Sequence, residues 1–192
     1  MLIYTHEDCL AHEVPEGHPE RAERLAFLMG HLERTGFLHD HSLQMAPTLP
    51  RGLIEVAHDS TLYDQLENET PEQGVSALDP DTWMSPRSLS ASCHAAGAVW
   101  QGVNEVVLGD QARVFCAVRP PGHHAERAAA MGFCLLNSVA IAAVNALSLA
   151  AINRIAVLDF DVHHGNGTVD ICRHDPRILV CSSFQHPFYP GR

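Results

Sequence analysis

The second half of the chain alternates short apolar segments with one long apolar stretch, and this alternation constrains the fold more than any other feature. The segments ARVFCAV (112–118), RIAVLDF (154–160) and RILVCSS (177–183) have the length and β-branched composition of buried strands. The stretch LLNSVAIAAVNALSLAAI (135–152) between the first two predicts a helix. Strand, helix and strand at this spacing predict an α/β fold with a parallel sheet covered by helices.

Helical patterns also occupy much of the first half. Segment 21–38 has apolar residues at helical spacing, and segment 85–109 predicts a long helix with Ser85 as its N-cap. Residues 49–80 are rich in turn-forming residues, with a short helix expected near 62–66. The length of 192 residues is that of one domain with a substantial core.

The chain is strongly acidic, with a formal net charge of −11 from 12 basic and 23 acidic residues. This charge argues against direct binding to nucleic acid or to an anionic membrane, but it suits a cationic substrate such as an amine or a lysine side chain. The six cysteines form no CxxC pair, which indicates a reducing compartment, and the N-terminal sequence lacks signal-peptide features. We therefore expect a cytoplasmic protein without a membrane-spanning segment.

The segment VLDFDVHHGNGT (157–168) places acidic residues and histidines at the tip of a predicted strand. Side chains alternate along a strand, so Asp159, Asp161 and His163 would point the same way if the extended path continued. Carboxylate oxygens and an imidazole nitrogen suit zinc or another divalent transition metal. The alternative is a hydrogen-bonded His–Asp network at the base of a loop. Together with a second histidine pair, the cluster favours the metal site.

That second pair, His123 and His124, lies in RPPGHHA (119–125), after the first predicted strand. The carboxyl ends of parallel strands meet at one edge of a sheet, where ligands bind. Adjacent histidines on a strand would face opposite ways, so they are poorly placed to bind one ion together. An imidazole titrates near neutral pH, so the pair suits proton transfer better. A chance pair of histidines in a loop is the alternative.

The segments RPPGHHA, MGFC and LDFDVHHGNGT resemble the zinc-dependent histone deacetylase superfamily, which includes acetylpolyamine amidohydrolases and bacterial acetoin-utilisation proteins. GHPERAERL and FYPGR resemble two further motifs of that family, and all five occur in family order from residue 18 onward. Asn166, in HHGNGT, is similar to the class II branch and bacterial relatives. The resemblance implies an arginase/deacetylase-like three-layer fold with a central parallel sheet.

The resemblance also implies roles for individual residues. Asp161 and His163 match two of three zinc ligands, and His123 and His124 match the tandem catalytic histidines, the second being the usual general base. Asp159 and Asn166 match the hydrogen-bonding partners of His123 and His124, respectively. A set of pocket residues is expected to contact the substrate, and a second set to bind potassium, largely through backbone carbonyls. The substrate set is Gly132, Phe133 and Tyr189; the potassium set is Asp159, Asp161, His163, Ser183 and Phe184.

The family's third zinc ligand and its transition-state tyrosine follow the last motif matched here. We therefore expect residues 1–192 to be the N-terminal portion of a single deacetylase domain, truncated and inactive when taken alone. One departure from the family pattern and one further match lie in the loops before α-helical segments of the first half. Ala22 replaces a proline of the early motif, with Arg24 still in place. Asp79 and Asp81 lie where relatives have a substrate-orienting aspartate, although a solvated turn is the favoured interpretation.

The expected function is that of a hydrolase: a zinc-dependent amidohydrolase that removes acetyl groups from an acetylated lysine peptide or an acetylated polyamine. Two alternatives stay open. One is a noncatalytic deacetylase-like binding module, and the other is a different metallohydrolase with the arginase-like fold. Potassium is an expected second cofactor, and a homo-oligomer is compatible with the sequence.

Overall fold

The computed structural model describes residues 1–191. Helices of 4 to 20 residues and short strands follow one another through this part of the chain. In chain order they are β1 (Leu2–Thr5), α1 (Asp8–Ala11), α2 (Ala22–Arg34), a 3-10 helix (Phe37–Asp40), β2 (Ser42–Met45), α3 (Arg51–Ile54), α4 (Ser60–Glu69), β3 (Ser76–Ala77), β4 (Trp83–Met84), α5 (Ser88–Val107), β5 (Val114–Cys116), α6 (Ser138–Ala146), β6 (Ile155–Asp159), α7 (Asn166–Cys172) and β7 (Ile178–Ser182).

The predicted parallel pairing is present and occurs as two separate ladders. One ladder has the order β2-β1-β5, with Ile3 level with Leu43 and Phe115. The other pairs β6 with β7, with Ile155 level with Ile178. Strands β3 and β4 form a small antiparallel hairpin apart from both. Parallel strands with helices on the sheet confirm the α/β class expected from the sequence.

Helices α5 and α6 pack against each other and against the strands, forming the main core beneath the ladders. The facing edges of β5 and β6 border an apolar groove of about 520 Å³ with these two helices as its floor. On the opposite face of the second ladder, Leu158, Phe160 and Leu179 are 72%, 84% and 60% exposed. One face of this ladder is therefore covered by helices, whereas the other is bare and apolar.

Two predicted helices are shorter than the sequence pattern suggests. Helix α6 covers only the middle of segment 135–152, ending at Ala146, and it begins at Ser138 because the Asn137 side chain caps it, accepting the Ala140 N–H at 3.0 Å. Ser85 is not the N-cap of α5, which corrects the sequence-based assignment. Its hydroxyl accepts the Glu13 N–H at 3.0 Å and contacts the Ser88 hydroxyl, so the helix begins at Ser88.

Within residues 1–191, no helix combines the length and the apolar character needed to cross a bilayer.

Candidate active site

Two loops meet at the carboxyl ends of β5 and β6 and form a small polar pocket. The first loop follows β5 and carries the histidine pair; the second joins β6 to α7. They are joined directly, since the Thr168 N–H donates to the His123 carbonyl at 3.1 Å. The pocket has a volume of about 310 Å³. Its lining comprises Pro19, Glu20, Arg24, Asp81, Pro121, His123, His124, Gly132, Phe133, Asp161, His163 and Tyr189.

His124 is buried in the pocket wall and has a fixed hydrogen-bonding partner. Its Nδ1–H donates to Asn166 Oδ1 at 2.7 Å, which leaves Nε2 as the nitrogen that can accept a proton. Burial and the neighbouring His123 lower the pKa of His124 to about 4, so the ring is neutral at pH 7. The arrangement fits a general base, which needs an unprotonated nitrogen facing the pocket.

His123 lies beside His124, with ring centroids 3.9 Å apart, but its partner is a carboxylate. Its Nδ1–H donates to Asp159 Oδ2 at 2.9 Å. Burial of the Asp159 carboxyl opposes its ionisation, yet hydrogen bonds from His123 and from the Asp161 N–H outweigh that effect and lower its pKa. The ionised Asp159 accepts this hydrogen bond and fixes the orientation of the His123 ring. The pair lies in a loop, so both rings line one pocket despite being adjacent in sequence.

Asp161 and His163 come together through two tight turns and not through a continued strand. Strand β6 ends at Asp159, whose Oδ1 accepts the Asp161 N–H at 3.1 Å; the Oδ1 of Asp161 then accepts the His163 N–H at 2.8 Å. His163 Nδ1 lies 3.1 Å from Asp161 Oδ1. Two ligand atoms of a tetrahedral zinc are about 3.3 Å apart, so the donor types and spacing of this pair fit the metal.

A third ligand for that pair is not present among residues 1–191. Among the described residues, three possible ligand atoms come close together at a different place, on the side chains of His6, Asp8 and His94. The His6 and His94 rings there are stacked 3.4 Å apart and nearly parallel. One ion cannot lie in the planes of two stacked rings, and the Asp8 carboxylate is already bound by Ser90 and faces Arg87. We therefore describe this group as a hydrogen-bonded cluster.

Gly132 and Phe133 form a strained turn in the pocket wall. Both have positive φ angles, 59° and 69°, and Phe133 is the non-glycine residue with this conformation within residues 1–191. A Cβ on Gly132 would lie 2.6 Å from the His124 ring, so only glycine fits there. The Phe133 ring packs edge-on against His18, 4.6 Å between centroids. The turn therefore places the Gly132 backbone against the His124 ring and Phe133 in the lining of the same pocket.

The hairpin before α5 holds this turn in place. Asp81 Oδ1 accepts the Gly132 N–H at 3.2 Å, and Thr82 Oγ1 accepts the Phe133 N–H at 3.1 Å. Asp79 in turn accepts the Asp81 and Thr82 N–H groups. Burial, together with Asp79, raises the pKa of Asp81. The favoured interpretation of a solvated turn is therefore wrong for Asp81, which is partly buried and lines the pocket.

Tyr189 and the potassium set lie around the Asp161–His163 pair. The Tyr189 ring is 4.7 Å from His124 and 6.0 Å from His163, and both contacts are edge-on. Ser183 N–H donates to the Asp159 carbonyl at 2.9 Å, which joins the strand ends that carry the expected potassium ligands. The potassium site stays a prediction. Arg192, the last residue of the FYPGR motif, lies outside the described residues.

Sequence reasoning missed two buried supports of the histidine loop. Arg119 is fully buried, and its guanidinium donates to both carboxylate oxygens of Glu20, at 2.6 and 2.8 Å, and to the Cys9 and His12 carbonyls. His58 donates from Nδ1 to the Glu126 carbonyl and accepts the Asn137 N–H at Nε2, each at 2.9 Å. Arg119 belongs to a motif that signals its importance, whereas nothing near His58 in the sequence does.

Three comparisons with known proteins bear on this pocket. A family model described as the histone deacetylase domain matches residues 18–192. The chain belongs to the histone deacetylase family. Membership confirms the resemblance read from the motifs.

This deacetylase-family chain is similar to individual proteins over nearly its whole length. It is 41% identical to an uncharacterized protein of Synechocystis sp., across 99% of this chain and 62% of that protein. It is 36% identical to a probable deacetylase of Archaeoglobus fulgidus, across 98% and 52% of the two chains. The crystal structure of the HDA15 HD domain matches all of this chain and 56% of that one, with a TM-score of 0.92 at 32% identity, which confirms the deacetylase-like fold. The chain thus spans about half to three fifths of these relatives.

Proposed function

We propose that the protein is a zinc-dependent amidohydrolase that removes acetyl groups from acetylated lysine side chains or acetylated polyamines. One observation carries this proposal: two adjacent imidazoles line one pocket, each held through Nδ1 by a different acceptor, beside an Asp–His pair at metal-ligand spacing. Metal-assisted amide hydrolysis uses a base for water, an acid for the leaving amine and a cation that stabilises the oxyanion. The pocket offers groups suited to these tasks.

Asp161 and His163 would hold the metal, and a zinc ion there would polarise the acyl carbonyl and lower the pKa of a bound water. His124 takes the proton of the attacking water at Nε2, since its Nδ1–H is committed to Asn166. His123, oriented through Nδ1 by Asp159, lies beside His124 and is the second group of the pair that can hold and return a proton. Return of a proton from the pair to the departing nitrogen completes the hydrolysis, giving acetate and a free amine.

The surroundings of the pocket favour a cationic substrate with a slender acylated arm. Phe133 and Tyr189 supply apolar walls for methylene groups, and Asp81 places a carboxylate in the same lining. The net charge of −11 attracts lysine-rich or polyamine substrates.

We also propose that residues 1–192 alone are inactive. The chain supplies two ligands of the pair described above, whereas a catalytic zinc normally has three protein ligands and a water. Loss of one ligand weakens metal binding, because even partners that only orient ligands contribute about 10–100-fold.

The test is hydrolysis measured with the product of the complete reading frame and, in parallel, with residues 1–192. Substrates are an acetyl-lysine peptide and an N-acetylated polyamine, each with and without a chelator. We expect acetate release by the former protein, abolished by chelation and restored by zinc, and none by the latter. Stoichiometric zinc without release from any acetylated amine would favour the noncatalytic binding module. Robust zinc-dependent turnover by residues 1–192 would overturn the proposal of inactivity.

A further inference from the structure

We propose that Glu126 is a positioning residue that fixes the tautomer of His124 by orienting the Asn166 side-chain amide. The inference concerns a residue to which neither the motifs nor the comparisons assign a role. It rests on the proposed function in one respect, namely that His124 Nε2 must be free to accept a proton. The hydrogen-bond geometry itself stands independently of any activity.

Glu126 completes a chain of three side chains that begins in the pocket. His124 Nδ1 lies 2.7 Å from Asn166 Oδ1, and Asn166 Nδ2 lies 2.8 Å from Glu126 Oε1. The same Nδ2 faces the His124 carbonyl at 3.4 Å and the Met131 sulfur at 3.4 Å. The hydrogen bond to Glu126 is thus the shortest of the three contacts that Asn166 Nδ2 makes.

The chemistry of these neighbours decides which way the amide faces. A side-chain amide is close to symmetric in shape, so sterics alone do not choose between its oxygen and its nitrogen. The Glu126 carboxylate and the His124 carbonyl accept hydrogen bonds and do not donate them. The NH2 group must therefore face them, and the amide oxygen is left to face the imidazole.

That orientation determines which nitrogen of His124 carries the proton. An oxygen opposite Nδ1 requires an Nδ1–H, which leaves the lone pair on Nε2, toward the pocket. A reversed amide would donate to Nδ1, and the neutral ring would then carry its proton on Nε2, where it cannot act as a base. A carboxylate at position 166 would have no such ambiguity, whereas a neutral asparagine needs an external acceptor to set its direction.

The backbone of Glu126 is held firmly enough to provide that acceptor. Its N–H donates to the Ala129 carbonyl at 2.9 Å, and its carbonyl accepts the Nδ1–H of buried His58 at 2.9 Å. The Asn166 end is anchored by α7, which begins at that residue. Carboxylate and amide therefore meet between two fixed segments.

The test uses NMR of protein labelled with ¹⁵N-histidine, made from the complete reading frame, at neutral pH. Two-bond ¹H–¹⁵N correlations report which ring nitrogen is protonated, and the His124 signal is assigned by its loss in His124→Gln. We expect His124 of the wild type to carry its proton on Nδ1 alone. Glu126→Gln is a near-isosteric change whose amide can donate toward Asn166, so we expect His124 of this variant to show a mixture of tautomers. The control is Glu105→Gln, because Glu105 also accepts a side-chain amide, that of Gln101 at 2.9 Å, away from the pocket.

A double variant tests the logic separately from any loss of packing. In Glu126→Gln combined with Asn166→Asp, donor and acceptor are exchanged, since the introduced glutamine amide donates to a carboxylate that can only accept from His124. We expect this variant to regain the Nδ1–H tautomer, and kcat to fall about 10-fold in the single variant with KM little changed. An unchanged single tautomer in Glu126→Gln and in Glu126→Ala would overturn the inference. If the tautomer responds but no acetylated amine is hydrolysed, the proposed function fails and the positioning role stands.

Discussion

His123 and His124 are adjacent residues of one type, yet their partners give them different chemistry. The Nδ1–H of His123 donates to the carboxylate of Asp159, whereas the Nδ1–H of His124 donates to the neutral amide oxygen of Asn166, and burial keeps the His124 ring neutral. Because the rings are 3.9 Å apart, a proton on one disfavours a proton on the other. The difference between a carboxylate and an amide behind the rings therefore separates the roles of the pair.

Replacing His124 tests the base directly. In protein made from the complete reading frame, we expect His124→Ala to lower turnover of an acetylated lysine peptide by about two to four orders of magnitude, the usual contribution of a general base. Zinc content should be unchanged, because the proposed zinc ligands are Asp161 and His163. The matched control is His174→Ala, which removes an exposed histidine outside the pocket. Wild-type turnover by His124→Ala would show that another group removes the proton.

His58 makes folding stability depend on pH. Burial of the ring outweighs the hydrogen bond to the Glu126 carbonyl and lowers the pKa of His58 to about 4. In the unfolded chain His58 is protonated below about pH 6.5, whereas in the folded chain it stays neutral until the pH falls to about 4. The contribution of His58 to stability is therefore constant above about pH 6.5 and decreases as the pH drops to about 4, by on the order of 3 kcal/mol.

Urea unfolding of residues 1–192 at pH 7.5 and pH 5 measures this effect. His58→Asn should be less stable than wild type at pH 7.5 and should lose less on acidification, whereas the exposed His39→Asn should behave like wild type. Equal slopes of stability against pH for wild type and His58→Asn would contradict the assignment.

At the scale of elements, the sequence located the pocket but not the shape of its loops. The strands β5, β6 and β7 and the histidine motifs were predictable because apolar runs and polar strand tips leave a clear pattern. Strands β1 and β2 are four residues long, and β2 is exposed along its length, so no periodicity marks it. The turns that bring Asp161 to His163 and the hairpin that supports Phe133 depend on contacts between distant segments, which local patterns cannot report.

Phe133 lies in one of those turns, and its conformation separates a wall residue from a core residue. Replacing a fully buried phenylalanine with alanine lowers the free energy of unfolding by about 3–5 kcal/mol. Phe133 is partly exposed and has a φ of 69°, so we expect Phe133→Ala to cost less in stability and to raise KM. Phe133→Gly removes the same ring and relieves the backbone strain, so it should be about 1 kcal/mol more stable than the alanine variant. Thermal unfolding and KM, both measured on protein made from the complete reading frame, check this for the two variants.

A core role would give the opposite pattern in those two measurements: a large loss of stability in both variants with an unchanged KM.

At the scale of the molecule, the second ladder leaves an apolar face uncovered. Leu158, Phe160 and Leu179 are mostly exposed there, and the edges of β5 and β6 border the apolar groove. Bare apolar faces and unpaired edges promote association. We therefore expect residues 1–192 to self-associate at micromolar concentrations, as measured by size-exclusion chromatography with light scattering. Phe160→Ser should reduce the self-association.

Phe27→Ser on α2 serves as the matched control, because Phe27 is also exposed but lies away from the ladder edge. A monodisperse monomer of residues 1–192, or equal effects of the two substitutions, would contradict this account of the uncovered face.

The central claim is that Asp161 and His163 hold a zinc ion that works with the histidine pair. The most direct measurement is a zinc titration of metal-free protein from the complete reading frame, with bound zinc and hydrolysis of an acetyl-lysine peptide followed together. We predict that activity rises in proportion to bound zinc, reaches a plateau at about one ion per chain, and is absent in Asp161→Asn, which also fails to retain zinc. Full activity in the metal-free protein, or zinc binding and turnover unchanged in Asp161→Asn, would contradict the claim.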